Sequence, residues 1–157
     1  MSELGDLRRA AWEGEGERAA AAWRELGRLA SAAGWARRFL LDLLRGRTSL
    51  PVASCLPALE AWARREPGFL LSLVRHADSA LASVVCAGMG RAGADCEEEL
   101  LRLSRDHTPA VRLASLAGLA ELAAGGSPRG TERLAAMLED PRGEVRWAAA
   151  AALRASP

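Results

Sequence analysis

The feature that most constrains the fold of this chain is an internal repeat with a period of 30 to 34 residues. The segment "RDHTPAVRLASLAGLAEL", residues 105–122, is followed 34 residues later by "EDPRGEVRWAAAAALRAS", residues 139–156. In both segments an Asp near the start is followed, five residues later, by a Val-Arg pair. Self-similarity at a fixed period of about 20 to 50 residues indicates a stacked array of supersecondary units. The chain is therefore predicted to consist of repeats.

Two further copies precede this pair at an offset of 30 residues. "FLLSLVRHADSALASVVCAGMG" begins at Phe69 and aligns with the copy that begins at Glu99, and "FLLDLLRGRTS" at Phe39 aligns with the copy at Phe69. The loop "GGSP", residues 125–128, accounts for the later offset of 34, because Gly, Ser and Pro are typical of turns. The predicted organisation is an N-terminal helical cap over 1–33 and repeats within 34–157, divided at about 34–66, 67–93, 94–125 and 128–157.

Each copy has the pattern of two helices separated by a short break. The first helix carries a Leu-rich stripe, as in "EEELLRLSR", and the breaks "HADS", "DHTP" and "DPRG" contain residues that cap a helix or begin its first turn. The second helix is apolar on nearly all sides and needs cover on several faces, which neighbouring repeats supply in a stack. The sequence predicts an all-α right-handed superhelix, with first helices on the convex side and second helices lining the concave side.

The repeated unit also resembles a known family. An Asp, a Val-Arg pair five residues later and an Ala two residues after the Arg occur from Asp106 to Ala114 and from Asp140 to Ala148. This arrangement resembles HEAT repeats, specifically the short bacterial type called PBS-lyase-like. The resemblance is good over 99–156, fair over 69–98 and weak over 34–66. It implies a right-handed α-solenoid of about four HEAT-like helical hairpins with an N-terminal capping helical segment.

The resemblance has a consequence for the polar residues of the unit. In that family the turn Asp and the second-helix Arg usually belong to a hydrogen-bonded ladder between neighbouring repeats. The resemblance therefore implies Asp106 with Arg146, or Arg112 with Asp140, as structural pairs. The energetics of burial agree, because an unpaired charge on a covered apolar helix is very costly.

Tryptophan dominates the aromatic residues, with five Trp against two Phe and no Tyr. Trp23 is predicted to pack within the N-terminal cap, and Trp35 and Trp62 at repeat junctions. Trp147 directly follows Arg146 on a helix expected to line the concave face. Both core packing and partner contact fit Trp147, because Trp is frequent in cores and at binding hot spots. The candidate partner-binding residues are Arg112, Arg146 and Trp147.

No catalytic, cofactor-binding or metal-ligating set is recognisable in the sequence. His76 and His107 fall at nearly equivalent turn positions and are expected at the surface. The cysteines are Cys55, Cys86 and Cys96; they lack CxxC spacing and form no ligand pair with the histidines. We interpret the cysteines as reduced, and the N-terminal segment is acidic, so the sequence predicts a cytoplasmic protein. It contains no run of about 18 apolar residues, so no membrane span is predicted.

Charge is unevenly distributed along a chain whose net charge is +1. All 21 basic residues are Arg, and residues 28–75 contain eight Arg against three acids, whereas residues 95–106 contain two Arg and five acids. A basic stretch is one signal of nucleic-acid binding. A solvated face is the favoured interpretation, because Lys, Asn and Gln are absent from the chain.

The leading hypothesis is a non-catalytic scaffold that binds another protein on the concave surface of the solenoid. One alternative is a nucleic-acid-binding HEAT-like protein such as a DNA glycosylase, although the helix of Trp147 lacks the Asp that such enzymes use. The other alternative is a bilin lyase-type HEAT protein, which is supported only by the resemblance of the fold. The C-terminal helix has no polar capping element, and this predicts weak self-association at that end.

Overall fold

The computed structural model describes residues 3–46 and 52–155, and these residues form ten α-helices and no strand. The helices are α1 (Glu3–Glu13), α2 (Gly16–Ala30), α3 (Gly34–Leu44), α4 (Leu56–Ala63), α5 (Pro67–His76), α6 (Ser79–Arg91), α7 (Glu97–Leu103), α8 (Pro109–Ala124), α9 (Pro128–Ala136) and α10 (Gly143–Ala155). Short 3₁₀ segments precede α4, α7 and α10. Within the described part of the chain, no helix is both long enough and apolar enough to cross a membrane.

The helices pair in chain order and stack in two layers. Helix α5 packs on α6, α7 on α8, and α9 on α10. The even-numbered helices from α2 to α10 also pack on one another in sequence and form one layer, while α5, α7 and α9 lie in the other. This arrangement confirms the prediction of an all-α, solenoid-like fold.

Glycines allow the even-numbered helices to approach until their backbones touch. A Cβ at Gly27 of α2 would lie 2.7 Å from the carbonyl carbon of Ala58, and a Cβ at Gly118 of α8 would lie 2.5 Å from the carbonyl oxygen of Cys86. The odd-numbered helices pack on one another less extensively. The even-numbered helices therefore form the more closely packed layer, here called the inner layer, and its assignment to the concave side stays a prediction.

A continuous hydrophobic cluster joins the repeats. Trp62 is fully buried, its ring stacks on Phe69 at a centroid distance of 5.1 Å, and its Nε1 donates to Glu66 at 2.8 Å. Trp23 is buried as well and stacks on Phe39 at 6.4 Å. Trp35, predicted to pack at a repeat junction, is 38 % exposed, and its packing there stays a prediction. Trp23 and Trp62 are thus the tryptophans that belong to the buried cluster.

The turn chemistry follows the residues that the breaks contain. The side chain of Asp78 accepts a hydrogen bond from the backbone N–H of Leu81 at 2.9 Å and caps α6, and Ser127 accepts one from Gly130 at 3.0 Å and caps α9. In the "GGSP" loop Gly126 has a φ of +88°, a conformation that favours glycine over other residues. Residues 125–127 thus lie between α8 and α9, and Pro128 begins α9.

Candidate functional site

The Asp of each repeated segment closes the turn that precedes the second helix. The Oδ1 atom of Asp106 accepts a hydrogen bond from the backbone N–H of Thr108 at 2.9 Å, and that of Asp140 accepts one from Arg142 at 2.9 Å. Both carboxylates are nearly covered, with side-chain exposures of 7 % and 5 %. The same local turn therefore places a buried carboxylate at the start of both α8 and α10.

The Arg six residues after each Asp binds that turn with the same atom in both copies. Nη1 of Arg112 donates to the carbonyl oxygen of the turn Asp at 2.9 Å and to that of the next residue at 3.2 Å. Nη1 of Arg146 donates to the two equivalent oxygens at 2.7 Å and 3.1 Å. These bonds fix the direction of each guanidinium group relative to its own helix.

Arg112 also reaches the turn of the following repeat. Its Nε donates to Oδ2 of Asp140 at 2.8 Å and its Nη2 donates to Oδ1 at 3.0 Å, which is a bidentate pair. The Arg112 side chain is only 12 % exposed. The hydrogen bonds from Arg112 hold the pKa of Asp140 below its usual value, and the same contact raises the pKa of Arg112. The pair links α8 to the turn before α10.

Asp106 has a different partner. Oδ2 of Asp106 lies 3.2 Å from Nε of Arg75, at the end of α5. In α6 the position equivalent to Arg112 is Ala82, so that helix has no guanidinium at this position. The resemblance implies two alternative pairings, and the structure contains the pair of Arg112 with Asp140. Among the described residues Asp106 pairs with Arg75, and no ion pair joins it to Arg146. The sequence analysis did not identify Arg75 as the partner of Asp106.

Arg146 repeats only half of the arrangement seen at Arg112. Its Nη1 bonds to the turn are present, whereas its Nε and Nη2 atoms contact no carboxylate within residues 3–46 and 52–155. The side chain is exposed. Arg112 and Arg146, which the sequence treated as equivalent candidates, therefore differ in accessibility: one is engaged between repeats and the other faces solvent.

Trp147 is the most exposed of the large hydrophobic side chains that the structure describes, at 73 %. Its helix neighbours Val145 and Ala149 are buried against the core, and a residue two positions away on a helix points to a roughly opposite side. Trp147 therefore points away from the core. Its counterpart in α8, Leu113, is partly buried. The packing interpretation of Trp147 is wrong, and partner contact stays a prediction.

A shallow depression of about 790 Å³ lies at the C-terminal ends of α4, α6 and α8. Its charged lining includes Glu60, Arg64, Arg91 and Glu121. Arg64 pairs with Glu60 at 2.7 Å, and Arg91 lies 3.7 Å from the same carboxylate. The charges of this depression largely neutralise one another, so it does not present the field of one sign that a phosphate or a metal ion requires.

The arginines of residues 28–75 are likewise partly neutralised. Ion pairs within the described residues engage Arg28 with Glu25, Arg37 with Glu66, Arg64 with Glu60 and Arg75 with Asp106. Arg47 falls outside the described residues. This pairing weakens the case for a continuous basic surface along the stretch.

The groups that most often carry chemistry are separated or buried. No cluster of three or more metal-ligating side chains occurs among the described residues. Cys55, Cys86 and Cys96 are buried, and burial raises the pKa of each thiol to about 12. Such thiols are poor nucleophiles at neutral pH. Both histidines are exposed.

Comparison with known proteins gives one result about the family. A family model described as HEAT repeats matches residues 66–154, from the residue before α5 to the last turn of α10. The match covers more than half of the 157 residues. No curated protein matches the chain.

Proposed function

Because the chain belongs to the family of HEAT repeat proteins, which are generally protein-interaction scaffolds, we propose that it is a non-catalytic scaffold whose partner is another protein. The partner binds the inner surface, which we define as the outward side of the even-numbered helices at Leu113, Ala117 and Trp147. A rigid stack with one protruding aromatic anchor is the arrangement that a scaffold needs.

The exposure of Trp147 is the observation that carries the proposal. Trp is among the residues most enriched at binding hot spots, and 73 % of this side chain lies open to water. Burying the exposed part under a partner gains about 2 to 3 kcal/mol. The buried neighbours Val145 and Ala149 and the Arg112–Asp140 pair hold the helix below the indole. The indole therefore meets a partner from a fixed position.

The N-terminal segment 1–33 is proposed to act as a cap rather than a binding surface. Helix α2 packs on α4, and α1 packs on α2. The charged side chains Asp6, Arg9 and Glu13 of α1 are exposed. A polar outer face of this kind is what keeps the end of a repeat stack from associating.

We expect Trp147→Ala to reduce recovery of the partner at least tenfold, which corresponds to about 1.4 kcal/mol of binding free energy. The fold should be retained, because the indole makes no stacked ring pair with the described residues. The measurement is affinity capture from the native cell with quantitative mass spectrometry, followed by calorimetric titration of the purified partner. Thermal unfolding monitors the fold of each variant.

Trp35→Ala is the matched control. Trp35 is also an exposed tryptophan, at 38 %, but it belongs to α3 and not to the inner layer. Its substitution should leave capture unchanged. Equal recovery of the same partner by wild type and Trp147→Ala would exclude the proposed binding surface.

A further inference from the structure

The guanidinium group of Arg146 is held in place but lacks the acid that its counterpart binds. Nη1 of Arg112 and Nη1 of Arg146 make the same two bonds to their turns. In Arg112 the remaining edge, Nε and Nη2, carries the carboxylate of Asp140 at 2.8 Å and 3.0 Å. In Arg146 the same edge has no carboxylate among the residues that the structure describes.

The helix of Arg146 cannot supply the missing carboxylate itself. The nearest acid in sequence is Glu144, two positions away on α10, and residues at that spacing do not face each other on a helix. Asp140 already has both oxygens in use, because it accepts from Arg112 and from the backbone of Arg142. Gly143 contributes no side chain beside the guanidinium; a Cβ there would lie 3.5 Å from Nη2. Among the described residues, the Nε and Nη2 edge of Arg146 is therefore without a carboxylate.

The internal pair shows which group fits. Asp140 lies three residues before α10, in the turn that leads into the helix, and both of its carboxylate oxygens accept from the Arg112 guanidinium. Two parallel N–H groups on one edge of a guanidinium match an acceptor with the two-oxygen geometry of a carboxylate. Arg146 has the same orientation on its helix as Arg112, so it matches the same kind of acceptor. Trp147 follows it directly and is 73 % exposed, so an acceptor that reaches Arg146 also covers apolar surface.

We propose that Arg146 is a preformed carboxylate-binding site for the partner protein, and that the partner presents an Asp at the start of a helix to Nε and Nη2 of Arg146 while it covers Trp147. The inference rests on the proposed function, since it names the chemistry of the partner on the same surface. The turn bonds of Nη1 fix the guanidinium before binding, so less side-chain freedom is lost when the carboxylate arrives. The binding site thus consists of a charged and an apolar element on adjacent residues.

The test uses the full chain and a displayed library of random helix-forming peptides as the probe. We expect the enriched peptides to share an Asp at or just before the first turn of the helix. The affinity of a selected peptide should fall at least tenfold with Arg146→Gln, and equally when its own acid is changed to the amide. Arg154→Gln changes another exposed Arg of α10 and should have no effect. In ¹⁵N spectra of the arginine side chains, the Nε–H signal of Arg146 should shift on peptide addition while that of Arg112 stays in place.

The outcomes separate this inference from the proposed function. Peptides that lose affinity with Trp147→Ala but show no dependence on an acid or on Arg146 would overturn the carboxylate site and leave the scaffold proposal standing. Failure to enrich any peptide that depends on Arg146 would also overturn the site, while partner capture by Trp147 remains the separate test of the scaffold. Sedimentation velocity identifies a third outcome: self-association that disappears with Arg146→Gln would assign the site to a second copy of this chain and overturn the assignment to a different partner.

Discussion

Replacing Arg112 by alanine is expected to lower the free energy of unfolding by about 3 kcal/mol. The substitution leaves the carboxylate of Asp140, which is 5 % exposed, without either of the bonds from the guanidinium. A buried charge that loses its partner costs far more than the pair itself contributes. Denaturant unfolding followed by circular dichroism measures the change.

Arg146→Ala is the matched control for this prediction. Arg146 makes the same Nη1 bonds to its turn as Arg112 but has no carboxylate partner among the described residues. Its removal should therefore cost no more than about 1 kcal/mol. Equal losses for the two variants would show that the turn bonds, and not the pair between repeats, account for the stability.

The same pair should make the stability of the protein depend on acid pH. Hydrogen bonds from Arg112 lower the pKa of Asp140 in the folded protein. The resulting stabilisation is fully present above the unfolded carboxyl pKa of about 3.9 and is lost as the pH falls through the lower pKa of the folded state. Asp140→Asn should show a smaller loss of stability than wild type between about pH 5 and about pH 2. Parallel pH profiles for the two proteins would contradict this assignment.

Gly90→Ala is expected to destabilise the protein by about 3 kcal/mol, because overpacking forces backbones apart. The added Cβ would overlap the carbonyl oxygen of Gly118 and lie 2.8 Å from the Cα of the same residue. Backbone atoms of a neighbouring helix cannot rotate away as a side chain can. Helices α6 and α8 would have to separate, which disturbs the most closely packed interface of the inner layer.

Gly68→Ala is the control for the cost of the glycine substitution itself. Gly68 lies in the first turn of α5, is exposed, and has no atom within 4 Å of its Cβ position. Alanine there should raise the free energy of unfolding by up to about 1 kcal/mol, because it restricts the unfolded chain. Unfolding midpoints in denaturant compare the two variants. A Gly90→Ala protein as stable as wild type would contradict the close approach of α6 and α8.

The helical stack could be predicted from the sequence because its cause is local and repeated. The Val-Arg pairs after Asp106 and Asp140 identify the unit, and the apolar second helix requires neighbours. The choice between Arg112 with Asp140 and Asp106 with Arg146 depends on which neighbour each side chain faces. The neighbour that each side chain faces is determined by the direction in which the repeats stack. The spacing of residues along the chain does not determine this direction.

Two other features depend on contacts that a single repeat does not specify. The carboxylate of Asp106 pairs with Arg75 at the end of α5. In the alignment of the repeats Arg75 corresponds to Arg105, and this correspondence does not indicate a contact with Asp106. Trp147 and Leu113 occupy equivalent positions, yet one is 73 % exposed and the other is partly buried. Exposure is decided by what covers the helix, so the role of Trp147 stays a prediction that the capture experiment tests.

The backbone contacts at Gly27, Gly90 and Gly118 have a mechanical consequence. A stack of two layers bends about the layer that resists compression, as a beam bends about its neutral axis. Because α2 touches α4 and α6 touches α8 through their main chains, a change in curvature at these two interfaces must spread or close the odd-numbered helices instead. The spacing within each of these two helix pairs is therefore expected to stay constant while the layer of odd-numbered helices absorbs the strain.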